Sequence, residues 1–419
     1  MLKKYILIRR KKAHSSVAED MTDHTIDGQN AYMAQDLDED TAIEKAIAGS
    51  VDAIVIDTRP NRIHRPKPQK DMLMVTAACL LVGLSLMIAF SGRELNFLLI
   101  HLLFTGIGFA GMIGIYFMDF TILGKHPKMI YFGVLALVVA CFIGRIIAWD
   151  IFDRLMLQSI VLLLPLAFAD IVFAAGNKGY RGIILCVLAY LPLCYIALLN
   201  PVIKESLYAI AVCLALFGIA IYKNWFGTKR LCSFLIICTS HAIFMILLIV
   251  NSGHWLLLWL KSAFNPYIDP YAMGFWSVLT REMMSGAQLF GAGYMPLPDN
   301  GLIWESELFL IWLAARFGWI AFAAIIAVLL FFIVIGFRRC MKQKNSLGFF
   351  VSITLMLMFC IQVFGYVVHN LGIQFLSPAS LPLISYSNTA MMINLLLIGI
   401  LLSVFRTGDE AIDENPHRD

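Results

Sequence analysis

The sequence predicts an all-α polytopic membrane protein: ten transmembrane helices, a large extracellular loop between helices 7 and 8, and a soluble N-terminal segment. Three observations carry this. The 419 residues are 60% hydrophobic and 14% charged, against roughly half apolar and a quarter charged in a soluble domain. Ten apolar runs of about 20 residues follow residue 70, each long enough to cross about 30 Å of hydrocarbon. Lysine and arginine concentrate in alternate connections between those runs.

Residues 1–70 are polar and read as a cytoplasmic segment. The start, Met1-Leu2-Lys3-Lys4-Tyr5-Ile6-Leu7-Ile8, is basic, but its apolar run is short and Arg9-Arg10-Lys11-Lys12 ends it. No cleavable signal peptide is expected from it. Acidic residues dominate from Glu19 to Asp57, and a basic stretch from Arg59 to Lys70 then suits an anionic inner leaflet. Asp38 to Ile47 fits a short helix and Val51 to Asp57 alternates like a strand. The same composition also fits a mostly unfolded tail.

The expected spans are 72–91, 96–117, 129–149, 155–175, 183–200, 206–222, 232–252, 305–336, 347–369 and 386–405. With the N-terminus inside, the inner connections carry Lys125, Lys128, Lys178, Arg181, Lys223, Lys229, Arg230, Arg338, Arg339, Lys342 and Lys344. The outer connections hold only Arg93, Arg154, Lys204, Lys261 and Arg281. That asymmetry puts both termini in the cytoplasm. The membrane domain is then 71–406, with 254–304 outside and 407–419 a cytoplasmic tail. No strong internal repeat is visible, which disfavours a transporter built from inverted repeats.

The nine cysteines lie in or beside apolar runs, with no CxxC pair. They read as small buried hydrophobes rather than a disulfide framework or a zinc site. The cations sit at the ends of apolar runs and form no aromatic-interleaved patch, so nucleic acid is not an expected partner.

Intramembrane ionisable groups are candidates for function. They are His101, Arg145, Asp170, His241, Glu305, Glu307, Arg316 and His369. His101 and His241 lack charged neighbours at i±4 and read as hydrogen-bonding groups within the bundle. Arg145 and Arg154 flank Trp149, Asp150 and Asp153 as an interfacial anchor, and Asp170 could pair with another span. Glu305 and Glu307 open the eighth span after the polar stretch Pro296-Leu297-Pro298-Asp299-Asn300-Gly301. Two apart, they point to different faces, so at most one lines a given cavity; first-turn acids also suit the helix dipole without any further role. A second polar segment, Asn370 to Asn388, has prolines that forbid a continuous helix. It is expected to re-enter the outer half of the membrane, where such backbone must be buried in protein or line a cavity.

The order of these motifs resembles the SEDS family (RodA, FtsW, SpoVE). Phe264-Asn265-Pro266-Tyr267, Asp269-Pro270, the Gly-rich stretch Gly291-Ala292-Gly293, Ser306-Glu307-Leu308-Phe309 and Arg316-Phe317-Gly318 resemble that family's large outer loop and following helix. Asn370-Leu371-Gly372, Leu381-Pro382-Leu383-Ile384-Ser385-Tyr386 and Asn394-Leu395-Leu396 resemble its last outer loop and last helix. Layout agrees over 72–405, and the specific motifs fall in 264–405. Glu307 stands where the family has an essential Asp. The family's Q-P-S-E-F-x-K segment is Leu164-Pro165-Leu166-Ala167-Phe168-Ala169-Asp170 here, and its Q-P-D segment is Asn200-Pro201-Val202.

The resemblance implies a peptidoglycan glycosyltransferase that polymerises lipid II, the undecaprenyl-pyrophosphate-linked disaccharide peptide, at the outer face of the bacterial cytoplasmic membrane. The implied partner is a class B penicillin-binding protein. A sugar hydroxyl needs a base, for which Glu307 is the candidate. The pyrophosphate leaving group needs cationic help, from Arg281 and Lys261 or from a divalent cation such as Mg2+ or Mn2+. Asn265, Asp269, Ser385 and Tyr386 are the remaining substrate-binding candidates. No protein-held metal site is expected. Two alternatives remain: a catalytically silent scaffold of a cell-wall complex, and a lipid-linked precursor transporter.

Overall fold

The chain divides into two units, Met1–Pro66 and Lys67–Asp419. The structure, a computed structural model, describes residues 70–90, 95–147, 154–198, 203–293, 308–373, 381–384 and 388–407. The helix and strand expected within 38–57 lie outside the described residues, as does the anchor around Trp149.

Every regular element among the described residues is helical. In chain order these are α1 (Lys70–Phe90), α2 (Leu95–Phe117), α3 (Thr121–Lys125), α4 (Pro127–Ile147), α5 (Arg154–Val161), α6 (Leu164–Ala174), α7 (Gly179–Leu198) and α8 (Ile203–Tyr222). They continue as α9 (Arg230–Phe264), α10 (Phe275–Gly286), α11 (Phe309–Phe317), α12 (Trp319–Cys340), α13 (Ser346–Asn370) and α14 (Asn388–Thr407), with a 3-10 turn at Pro266–Ile268. Eight of them (α2, α4, α7, α8, α9, α12, α13 and α14) are long and apolar enough to cross a membrane. The protein is a polytopic helical membrane protein. Its surface fits: Leu103, Phe132, Ile246, Val250 and Phe331 are all exposed. In water such a surface is an aggregation hazard; in hydrocarbon it needs no cover.

Three expected spans are not what the apolar runs implied. The run 155–175 is two helices, α5 and α6, parted at Leu162 and Leu163. Pro165 is the reason: it has no N–H for the Val161 carbonyl and its ring crowds that oxygen. The run 305–336 is also broken, between α11 and α12, where Gly318 has φ 95° and ψ 166°. The seventh helix does not stop near residue 252. It kinks at Gly253 (φ 51°, ψ −135°) and runs on to Phe264. The described part of the expected connection 254–304 therefore contains helix, the end of α9 and α10.

The centre of the bundle is α6, α8, α13 and α14. In α6 every residue from Leu164 to Val172 is buried. Asp170 is among them, and neither of its carboxyl oxygens has a hydrogen-bond partner. α14 lies along α2 at close range because glycines allow it. Gly108 faces Met392 and Leu395, Gly111 faces Leu396, and a Cβ on Gly399 would stand 2.8 Å from the Met112 carbonyl oxygen. Ser403 Oγ donates to Met118 O at 2.6 Å, and His101 Nδ1 bonds Asn388 Oδ1 at 2.8 Å. His241 bonds the Tyr190 hydroxyl at 2.9 Å. Both histidines thus join neighbouring helices.

At the other end of the bundle an aromatic staple sets helix register. Trp225 stacks on Phe173, meets Phe350 edge-on and donates its indole N–H to Val172 O at 2.9 Å. Lys223 Nζ lies 3.3 Å above the Phe349 ring. The Arg339 guanidinium Nε donates to Asp71 at 2.9 Å, tying α12 to the start of α1. Six cysteines are buried and Cys360 is half-buried, but Cys232 and Cys238 are exposed on α9, against the expectation that all are interior. All nine are free thiols.

The break at Gly318 is testable. A Cβ there would meet the Leu289 carbonyl oxygen at 2.5 Å on a backbone suited to glycine. Gly318→Ala is expected to cost about 1–3 kcal/mol, read as a lower unfolding temperature in detergent. Gly106→Ala, with nothing within 4 Å of the new methyl, is the control and should be neutral or stabilising.

Candidate active site

The helix α9 ends where Pro266 cannot continue it, and the Asn265 N–H closes on Lys261 O at 2.8 Å. The chain then turns back through Gly274, whose missing Cβ leaves room for the Pro266 carbonyl. The Asp269 carboxylate accepts from the Met273 N–H at 3.3 Å. Its described role is therefore to close its own turn. Lys261 and Asn265 are exposed.

α10 follows and carries Arg281. Its Nη2 donates to Phe264 O at 3.3 Å, and its side chain lies against Gly372, with Cγ 3.0 Å from where a Cβ would stand. Gly372 has φ 77°, so this position suits glycine twice over, by conformation and by space. Arg281 thereby joins the segment after α9 to the turn that ends α13.

Residues 288–293 are fixed to the α11–α12 break by backbone hydrogen bonds. Gly291 N–H donates to Phe317 O (3.2 Å), Gly293 N–H to Ala315 O (2.8 Å) and Trp319 N–H to Gln288 O (3.0 Å). The Gly-rich stretch seen in sequence is thus a strap across a helix break.

α11 begins without a cap of its own, since the residue before it, Leu308, offers no side-chain acceptor. Asn370 supplies one from α13. Its Oδ1 accepts from the Ile311 N–H at 3.1 Å, and its Nδ2 donates to Tyr366 O at 2.9 Å. Both bonds are buried, and Asn370 is fully buried. Leu381, Leu383 and Ile384 are buried too, and the Leu383 carbonyl packs against Gly83 within α1. This short non-helical stretch lies against α1; the rest of the expected re-entrant segment, 374–380 and 385–387, lies outside the described residues.

The comparisons with known proteins follow the same pattern. No protein-family model matches the chain. It is 25% identical over 156 residues to stage V sporulation protein E of Bacillus subtilis, a match covering 35% of this chain and 41% of that protein. It is 24% identical over 169 residues to the probable peptidoglycan glycosyltransferase FtsW of Trichlorobacter lovleyi, covering 38% and 43%. These matches span about two fifths of the length of the curated relatives. Among solved structures, one similar chain comes from work on structural coordination of polymerization and crosslinking by a peptidoglycan synthase complex. It superposes with a TM-score of 0.60 at 18% identity over 81% of this chain and 98% of that one. A mutant of the Thermus thermophilus rod shape determining protein RodA superposes at 0.52 and 16% identity, again over 81% and 98%. The chain is thus similar in sequence to these two proteins over part of its length, and in fold to the two solved structures.

The predicted site residues fare unequally. Glu307, Ser385 and Tyr386 lie outside the described residues. Arg281 is placed against Gly372, two residues from Asn370. Asn370 itself was legible only as part of a motif, not as a capping group. Glu205 escaped notice because Lys204-Glu205-Ser206 reads as a solvated helix start, yet Glu205 is 1% exposed. Gln362 was missed because one amide in an apolar span carries no sequence signal.

Register places these missed residues. Lys223 lies on Phe349, and the Tyr208 hydroxyl lies against Gly365. Fifteen residues separate the first of each pair and sixteen the second, so α8 and α13 run antiparallel in step. Glu205 is then level with Val368 and His369.

The Asn370 cap predicts a mutant pair. Asn370→Ala strands the Ile311 N–H and should cost about 1–3 kcal/mol, measured by unfolding in detergent. Asn370→Asp keeps the acceptor but loses the donor to the Tyr366 carbonyl and buries a charge, so it should recover little of that loss at neutral pH.

Proposed function

We propose that this protein is a peptidoglycan glycosyltransferase that polymerises lipid II on the outer face of the bacterial cytoplasmic membrane, working with a class B penicillin-binding protein. In this reading the chain crosses ten times, α1 and the α5–α6 pair completing the eight long spans. Both termini are cytoplasmic, and 254–304 and 370–388 open outward.

One observation supports the reading above others. Asn370 and Arg281 draw the end of α13, α10 and the first turn of α11 to one place, and Glu307 precedes α11 by two residues. Glycosyl transfer needs a carboxylate base and a cation; in this reading Glu307 is the first and Arg281 the second.

The chemistry then runs as follows. Glu307 takes the proton from the attacking sugar hydroxyl, which is too weak a nucleophile alone. As the anomeric bond breaks, negative charge builds on the pyrophosphate. Arg281 meets that charge, with Lys261 nearby on the exposed end of α9. Ser385, Tyr386 and Asn265 contribute hydrogen bonds to the substrate. Asp269, engaged in its own turn, shapes the segment rather than the reaction. A divalent cation such as Mg2+ or Mn2+, bound with the pyrophosphate, would add to the charge neutralisation that Arg281 and Lys261 supply. The polyprenyl tail stays in the bilayer beside the apolar helices.

The test is lipid II polymerisation by the purified protein, with and without a candidate transpeptidase and divalent cation. Glu307→Gln is expected to lower the rate about 10²–10⁴-fold without changing the unfolding temperature, and Glu307→Asp to retain activity. Equal rates for Glu307→Gln and wild type would show that Glu307 is not the base. A scaffold would behave differently in cells: Glu307→Ala would still complement.

A further inference from the structure

Gln362 lies on α13, 1% exposed, and neither its amide oxygen nor its amide nitrogen has a hydrogen-bond partner. Leaving a buried polar group unsatisfied costs about 1–3 kcal/mol. Such a group marks a place where a ligand or water completes the bonds.

Its neighbourhood is polar in an ordered way. Gly365 and His369 follow Gln362 at three and seven residues, on one stripe of α13. Tyr208, packed on Gly365, shows that this stripe faces α8. Glu205 stands one turn before Tyr208, near the same face of α8, and register sets it level with His369. Glu205 and His369 are therefore at the mouth of the α8–α13 seam. Gln362 is about 10 Å deeper, at 1.5 Å per residue. Ser206, next to Glu205, also has a buried hydroxyl without a partner.

The chemistry of this set selects its ligand. A carboxylate accepts from hydroxyls and repels anions. An amide offers both donors and an acceptor, as an imidazole can. α13 carries no Lys or Arg, and α8 carries one, Lys204, in its first turn. Beyond that first turn phosphate finds no counter-charge along the seam, whereas hydroxyl and acetamido groups find donors and acceptors down to Gln362. The cation, Arg281, is on α10 against Gly372, beyond the end of α13.

We propose that the α8–α13 seam is the wall that reads the sugar of a lipid-linked saccharide, with Glu205 and His369 at its mouth and Gln362 at its floor. This rests on the glycosyltransferase reading for the class of substrate, but it assigns sugar and pyrophosphate to different walls and concerns binding rather than turnover.

The experiment measures equilibrium binding to the purified full-length protein in detergent. The two probes are lipid II and undecaprenyl pyrophosphate, which has the tail and the anion without the sugar. Gln362→Leu should weaken lipid II about tenfold or more, the effect of roughly one lost hydrogen-bonding group. It should leave undecaprenyl pyrophosphate within about twofold. Because it removes an unsatisfied amide, it should leave the unfolding temperature unchanged or raised. Glu205→Gln, which keeps shape and removes charge, should weaken lipid II selectively as well. Unchanged lipid II binding in both variants, equal weakening of both probes, or a Gln362→Leu protein that unfolds earlier would overturn the proposal. Wild type that binds lipid II through this wall and does not polymerise it would sink the catalytic reading alone. Wild type that polymerises lipid II, with Gln362→Leu binding it normally, would sink the wall alone.

Discussion

A helix inside a membrane protein has four N–H groups at its start that no water will satisfy. For α11 one of these, the Ile311 N–H, is met by Asn370 from another helix. Much of this end of the bundle depends on that arrangement. The cap fixes where α11 begins, and so fixes the chain immediately after Glu307. It also fixes the end of α13, which places Gly372, which in turn receives Arg281. One side chain couples two helix ends that are 59 residues apart in sequence.

The same rule explains the strap at 288–293. A break between α11 and α12 exposes carbonyls and N–H groups that would be orphans in lipid. Gln288, Leu289, Gly291 and Gly293 supply backbone partners for them. Irregular chain is tolerated here because it is paired; Gly293 and Gly318 leave room for neighbouring backbone, and Gly291 supplies a φ of 77°. The segment after α9 is thus held from both sides, by Arg281 at its middle and by the strap at its end.

Much of the fold was legible in sequence because long apolar runs leave few alternatives. The run 232–252 could only be a span, and its continuation past Gly253 was hidden because Lys261, Asn265 and the following prolines read as loop. The breaks at Gly318 and before Pro165 were hidden for the opposite reason: apolar composition on both sides masked a change of direction. The site was legible where chemistry departs from its surroundings, as at Arg281 and Asn370-Leu371-Gly372. It was illegible where a residue's role comes from the neighbour that burial gives it. Glu205 beside Lys204 looks solvated until α13 is packed on it, and Asp269 looks available until its turn closes on Met273.

The close pairing of α2 with α14 has a consequence for how the protein is made. Gly108, Gly111 and His101 are covered by a helix that begins about 280 residues later in the chain. At synthesis rates of about 5–20 residues per second, α2 waits on the order of tens of seconds for its partner. During that time its glycine face and its histidine are bare within the bilayer. The bundle therefore closes last at the seam between its early and late helices, and a chain truncated before residue 388 would leave α2 permanently without its partner.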